Sequence, residues 1–310
     1  MTHVVKIGTR ESELALWQAK KVQALLLEQG TASELVLIKS DGDIDLSTPL
    51  YEIGVQGIFT KSLDIALLQK RIDIAVHSYK DVPTQLAKGI TIAAVLKRDA
   101  YLDILVYKDE SGNITEALND ATPAIIATSS IRRKAQWLHK YPHHQIDNLR
   151  GNVNTRLRKL QESSWTGAIF AAAGLERIHL RPKNSIDLDW MLPAPAQGTV
   201  VVVCRKEDEG IQNTCAAFND YHTALCTGIE RDFLRALMGG CSTPLSALAQ
   251  VREHGLHFRG SILTVDGKEK AEVEKYVDLA DSENTGKIAA TEILLQGGKE
   301  IIESIRNVDK

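Results

Sequence analysis

Short apolar runs rich in β-branched residues alternate with helix-length segments from the amino terminus onward, and this alternation limits the possible folds more than any other feature. Val4 to Gly8, a helical pattern from Ser12 to Gln29, Leu35 to Lys39, a helix from Phe59 to Gln69, and Ile72 to Val76 form a first series. Parallel strands need crossover connections that lie on the sheet faces, so the series predicts a mostly parallel sheet covered by helices. The pattern resumes with Ile104 to Tyr107, Ala124 to Thr128, a helix from Ile131 to His139, a helix from Val153 to Leu160, and Ala168 to Ala172. Val200 to Cys204 is apolar throughout, as befits a strand of a parallel sheet buried on both faces, yet it follows the second series. Its expected place is back in the first sheet. From Tyr221 the pattern becomes a long helix, strands at Ala247 to Val251, Leu256 to Leu263 and Ala271 to Val277, and a closing helix from Asp281 to Leu295. The fold class is α/β, with two α/β domains (1–99 with 199–218, and 103–194) and a smaller C-terminal α+β domain (221–310). Neither repeats nor low-complexity linkers interrupt the chain, so short joins between packed domains are expected.

The 310 residues, 44% apolar and 25% charged, suffice for two or three ordinary cores. A net charge of −3 gives no bulk reason for nucleic acid or an anionic membrane to be a partner, so any basic site must be local. No segment approaches the ~20 apolar residues that span a bilayer, and Met1-Thr2-His3-Val4-Val5-Lys6 lacks the apolar run of a signal peptide; the expected location is the cytoplasm. Cys204, Cys215, Cys226 and Cys241 fit neither a disulfide framework nor Cys-x-x-Cys metal spacing, and no metal is expected.

Arginines and hydroxyls recur where strands give way to helices: Thr9-Arg10-Glu11-Ser12, Thr128-Ser129-Ser130-Ile131-Arg132-Arg133, and Arg150-Gly151-Asn152-Val153-Asn154-Thr155-Arg156. Such junctions are where open α/β sheets bind ligands and where helix N-termini offer unpaired N–H groups. Arginine suits carboxylate or phosphate because its planar fork stays charged. The glycine patterns of nucleotide-binding loops are missing, which favours carboxylates. Surface ion pairing is the alternative for any single arginine.

Lys80 and Asp81 follow a buried-looking strand directly. A carboxylate there could accept hydrogen bonds from a substrate and stabilise developing positive charge. An Asp-x-Pro turn in which Asp81 caps backbone amides fits the local pattern equally well. Gly239-Gly240-Cys241-Ser242-Thr243-Pro244 places Cys241 on a tight loop after a helix, where a thiol serves as nucleophile or tether or is simply buried. Inert core thiols are expected at Cys204, Cys215 and Cys226, and a structural role at His77.

Taken together, Gly8 to Ala19, Ala75 to Pro83, Thr128 to Arg133, Arg150 to Leu157, and Glu230-Arg231 followed by Gly239 to Pro244 resemble the porphobilinogen deaminase family, in its order and over nearly the whole chain. The resemblance implies three domains, the first two arranged like a periplasmic binding protein around a cleft. It implies a dipyrromethane cofactor held by a thioether to Cys241, onto which four porphobilinogen molecules are condensed with loss of ammonia, releasing linear hydroxymethylbilane. By matching position, Asp81 is the catalytic carboxylate. Ser78, Lys80, Thr128, Ser129, Arg132, Arg133 and Arg156 serve the cofactor with Asp81 and Cys241, and Arg10, Ser12, Phe59, Arg150, Arg177 and Gln197 serve the substrate. A monomer is the family expectation. Three positions depart from the family pattern: Gln56 replaces a usual lysine, Ala196 a usual glycine before Gln197, and Ser40-Asp41 precede Gly42-Asp43, so the loop from Asp41 to Gly57 is a candidate for altered lid behaviour. The competing expectations are a non-catalytic two-lobed polycarboxylate-binding protein, which has no use for Cys241, and a cysteine-nucleophile hydrolase, for which no histidine motif is present.

Overall fold

The computed structural model describes residues 4–39, 60–108, 114–119, 123–237 and 243–308. Cys241, Phe59, Gln56 and the loop from Asp41 to Gly57 lie outside the described residues. The first elements are β1 (Val5–Thr9), α1 (Glu13–Glu28), β2 (Ser33–Leu37), α2 (Lys61–Leu68), β3 (Ile74–Ser78), β4 (Ile90–Val95), β5 (Asp103–Tyr107) and α3 (Ile114–Asn119). Next come β6 (Ile125–Ala127), α4 (Ile131–Lys140), β7 (Gln145–Asp147), α5 (Val153–Glu162), β8 (Gly167–Ala171), α6 (Ala172–Glu176) and β9 (Ser185–Asp187). The last are β10 (Val200–Arg205), α7 (Glu209–Ala216), α8 (Tyr221–Ala236), β11 (Leu245–Arg252), β12 (Gly255–Leu263), β13 (Lys270–Val277), α9 (Thr285–Ile293) and α10 (Lys299–Val308). The described residues up to Ala100, with Ala196–Leu225, form one compact unit; those from Tyr101 to Pro195, with those from Cys226 onward, form a second.

In the first unit the sheet order is β2-β1-β3-β10-β4. The apolar run after the second series does return to this sheet, but it pairs antiparallel with both β3 and β4, so the sheet is mixed. The reason lies at its entry: the Asp99 amide donates to the Gly198 carbonyl at 3.0 Å, so the chain leaving β4 and the chain entering β10 meet at one end and must run in opposite senses. Gly198 has φ +82°, and a Cβ there would lie 2.6 Å from the Ala100 carbonyl oxygen, so glycine is required. Val200, Val202 and Cys204 pack with Val22 and Leu26 of α1 and Ile211 of α7. Val201 and Val203 face Leu63 and Leu67 of α2. Period-two alternation thus buries β10 from both sides. Ala196 adopts φ +60°, the left-handed region that favours glycine.

The second unit holds two sheets. One, ordered β7-β6-β8-β5-β9, keeps β6, β7 and β8 parallel, with β5 antiparallel to β8 and β9, so it too is mixed. Leu105, Ile126 and Ile169 of this sheet pack on Trp137 of α4. The other is the antiparallel meander β11-β12-β13, on which Phe233 of α8 meets Phe258 edge to face at 5.3 Å. The closing helix expected from Asp281 to Leu295 is instead a 3₁₀ segment, Leu279–Asn284, followed by α9. Gln296 and Gly297 (φ 96°) then break the helical path before α10, a stop that glycine permits.

Candidate active site

Each mixed sheet brings its expected site residues to the carboxyl ends of its parallel strands. In the first unit β1 and β3 are adjacent and parallel, so Arg10 and Ser12 come to the same edge as Ser78, Lys80 and Asp81. Ser12 stands at the N-cap of α1 in extended conformation without a side-chain cap bond. The Gln18 amide nitrogen in α1 donates to the Ser78 hydroxyl at 2.8 Å. Beyond Ser78 a single 3₁₀ turn, Tyr79–Asp81, is anchored by the buried Tyr79 and Val82 and by the Tyr79 amide on the Thr199 carbonyl at 2.9 Å. Asp81 is exposed at the tip of this anchored turn. The Lys80 ammonium donates to the side-chain oxygen of Gln197, a fully buried residue at the entry to β10, at 3.3 Å. His77 is buried; burial first, then the charge of Arg10, pushes its imidazole down to about 4, so it is neutral at physiological pH.

In the second unit, Thr128 and Ser129 follow β6, Arg150 follows β7, and Arg177 caps the C-terminal end of α6 after β8. The Ser130 hydroxyl caps α4 by accepting the Arg133 amide, and the Ser129 hydroxyl donates to the Leu149 carbonyl. Asn152 caps α5 by accepting the Thr155 amide at 2.9 Å, and Arg156 braces that turn by donating from Nε to the Gly151 carbonyl at 2.7 Å. Arg150 and Arg177 are buried, Arg156 half-buried.

Arg132 and Arg133, 5% and 6% exposed, converge on Asp103, which is wholly buried at the start of β5. Arg132 Nη2 reaches Asp103 Oδ2 at 2.7 Å, while Arg133 Nε and Nη2 reach Oδ1 at 3.0 and 2.7 Å. Arg132 Nη1 also donates to the Leu192 carbonyl at 2.8 Å, and Arg133 Nη1 to the Ile169 carbonyl at 2.9 Å. Two guanidiniums share one carboxylate, which leaves the trio with an excess positive charge where burial makes such charge costly. That burial works against the charged form of Arg132, and the neighbouring Asp103 works to restore it.

Asp103, Gln18 and Gln136 were not legible as site neighbours. The signal for Asp103 was a carboxylate abutting the apolar run Ile104 to Tyr107, one residue outside the expected strand. Cys204 and Cys215 are buried, and desolvation pushes their thiols up to about 11 and about 12, which fits the expectation that they are inert; Cys226 is buried as well.

An α/β protein that lines the carboxyl ends of its parallel strands with arginines, hydroxyls and helix N-termini has the features of the class of proteins that bind anionic ligands. The comparisons make that class specific. The family model described as "Porphobilinogen deaminase, dipyromethane cofactor binding domain" matches residues 5–213, and "Porphobilinogen deaminase, C-terminal domain" matches 224–295. Relatives named porphobilinogen deaminase include one from Acidithiobacillus ferrooxidans, 39% identical over 99% of this chain and 100% of its own length. Another, described as chloroplastic, comes from Oryza sativa subsp. japonica and is 38% identical over 98% of this chain and 87% of its own length. The chain belongs to the porphobilinogen deaminase family and is an enzyme of the transferase class. Among solved structures, the periplasmic VFT2 domain of Bordetella pertussis BvgS matches at 13% identity with a TM-score of 0.42, over 69% of this chain and 87% of that one. Among the described residues no helix is long and apolar enough to cross a membrane.

Proposed function

We propose that this chain condenses four porphobilinogen molecules, one at a time and with loss of ammonia, onto a dipyrromethane joined through a thioether to Cys241, and releases linear hydroxymethylbilane by hydrolysis. The observation that carries the proposal is the buried Arg132–Arg133–Asp103 trio, whose excess positive charge fits a ligand bearing carboxylates. When bound, the dipyrromethane supplies the pyrrole carbon to which the first substrate is joined. Arg132, Arg133 and Arg156, with Ser78, Lys80, Thr128 and Ser129, hold its carboxylates by charge-assisted hydrogen bonds. Arg10, Ser12, Phe59, Arg150, Arg177 and Gln197 take the incoming substrate. Asp81 accepts hydrogen bonds from pyrrole N–H groups and stabilises the cation left on the substrate when its C–N bond breaks and ammonia leaves. The anchored turn that carries Asp81 preorganises this carboxylate. The proposal includes a cytoplasmic monomer with domains at 1–99 with 199–218, 103–194, and 221–310.

Intact mass of the purified chain, set beside a Cys241→Ser variant, is the test. A mass excess matching a dipyrromethane, absent from the variant, supports the proposal, and Asp81→Ala should then carry the excess yet fail to elongate it. A bare mass unchanged by added porphobilinogen overturns the proposal and leaves the two-lobed polycarboxylate-binding protein as the better account.

A further inference from the structure

One turn beyond Arg132 on α4, Gln136 is buried and uses both ends of its amide. Its oxygen accepts the Leu192 amide at 2.8 Å, and its nitrogen donates to the Leu192 carbonyl at 2.9 Å and to the Ser246 hydroxyl at 3.0 Å. The same Leu192 carbonyl takes Arg132 Nη1. One backbone peptide therefore joins the guanidinium that pairs with Asp103 to the side chain that holds Ser246. Ser246 lies in β11, five residues after Cys241 in the sequence. The strand is fixed a second time by the Ala247 amide on the Pro193 carbonyl at 3.2 Å. Further along α4, His139 Nδ1 lies 2.7 Å from the carbonyl oxygen of Gly267, in the turn between β12 and β13. A Cβ at Gly267 would come within 2.5 Å of the Ala135 carbonyl, so that turn lies against the backbone of α4. The helix that begins with the arginine pair is thus fastened to the C-terminal sheet at both the strand β11 and the turn between β12 and β13.

We infer that Gln136 is a positioning residue: it fixes the strand leading from the cofactor-bearing segment in register with Arg132 and Arg133, so that a primer tethered at Cys241 meets the two guanidiniums already in place. The inference rests on the proposed function above. Ser246 is its counterpart, and the 110 residues that separate the two in sequence make the contact a property of the folded chain. A tether held in this way adds effective concentration to the grip of the arginines, and that grip stabilises the folded state beyond what the polypeptide achieves alone.

The test compares thermal unfolding of four proteins: the wild-type chain, Cys241→Ser, Gln136→Met, and the double variant. Methionine keeps the volume and removes both ends of the amide. The quantity read is the gap in Tm between each primer-bearing protein and its Cys241→Ser counterpart, with intact mass confirming which proteins carry primer. The gap should shrink by about half or more in Gln136→Met, because the pair couples two sites rather than adding independent stability. Turnover should fall roughly tenfold with KM for porphobilinogen little changed, as for a misplaced primer. Ser246→Ala, which removes a single hydroxyl, should shrink the gap in the same direction and supplies the answer if Gln136→Met does not fold. An unchanged gap in a folded, primer-bearing variant shows a merely structural glutamine and overturns this inference alone. A wild-type chain without added mass overturns the deaminase proposal, and this inference with it.

Discussion

Asp103 decides what the arginine pair can do. Removing one partner of a buried ion pair is costly because the remaining charge keeps its desolvation penalty, and here two guanidiniums would be stranded. Asp103→Ala should therefore lower unfolding free energy by about 3–5 kcal/mol, measured by urea denaturation. Arg133→Met on that background should recover part of the loss, and no recovery would mean that the pairing does not set the cost. His77 gives a pH signature. Its imidazole titrates near 4 in the folded chain, where burial and Arg10 oppose protonation, against about 6.5 when unfolded. As pH falls below the unfolded value the unfolded chain takes up a proton that the folded chain refuses, so stability present above about pH 6.5 is lost progressively toward pH 4. The loss from this one group is about 3 kcal/mol at full extent. Wild-type protein should lose about 2 kcal/mol more than His77→Gln between about pH 7 and about pH 5, and parallel curves would refute the assignment. The arginines and hydroxyls at strand ends were legible because their types and positions both point to anions. Asp103 was not, because a lone carboxylate beside an apolar run has no periodic signature and acquires meaning only when β5 lies across the start of α4.

Three helices end in the same backbone motif with different residues. At α1, α2 and α6 the chain closes with paired bonds, Gly30 to Leu27 and Thr31 to Leu26, Lys70 to Leu67 and Arg71 to Ala66, His179 to Glu176 and Leu180 to Leu175. Just beyond each helix end a residue has positive φ: +70° at Gly30 and +58° at Lys70, one residue after the C-cap, and +56° at His179, two after it. Glycine bears that conformation without a Cβ clash, whereas lysine and histidine pay roughly 1–2 kcal/mol, partly offset by glycine's greater entropy when unfolded. Lys70→Gly and His179→Gly, both at exposed positions, should each stabilise by about 0.5–1 kcal/mol. Gly30→Ala, with open space around the added methyl group, should destabilise by a similar amount. Thermal melts of the single and combined variants check both signs. The ends of α1 and α2 were legible to within a residue, because hydrophobic periodicity stops where the motif begins. The direction of β10 was not, because an apolar run reads the same in either sense and only the Asp99–Gly198 bond at its entry fixes it.

At the scale of the whole chain, the expected alternation of strand and helix gave the sheets their contents, while the fastening of α4 to β11 depends on side chains 110 residues apart, beyond any local pattern. The charge distribution is likewise a property of the fold. A chain with net charge −3 places Arg132, Arg133, Arg150, Arg156 and Arg177 at the strand ends of one sheet, so a local positive field coexists with an acidic whole. A substrate bearing carboxylates is drawn to that field, and salt screens the attraction, with a Debye length of about 10 Å at 0.1 M and about 3 Å at 1 M. KM for porphobilinogen should therefore rise several-fold between about 0.05 M and about 0.5 M potassium chloride, while kcat changes less, because salt screens the long-range approach of free substrate more than the contacts it has made once bound. Binding dominated by apolar contact predicts the opposite, since salts excluded from protein surfaces strengthen burial. The check is a KM series in potassium chloride repeated with Arg150→Met, in which loss of one cation should flatten the salt dependence as well as raise KM. A KM that stays level or falls with salt in the wild-type enzyme would show that the strand-end arginines serve the fold and not the substrate.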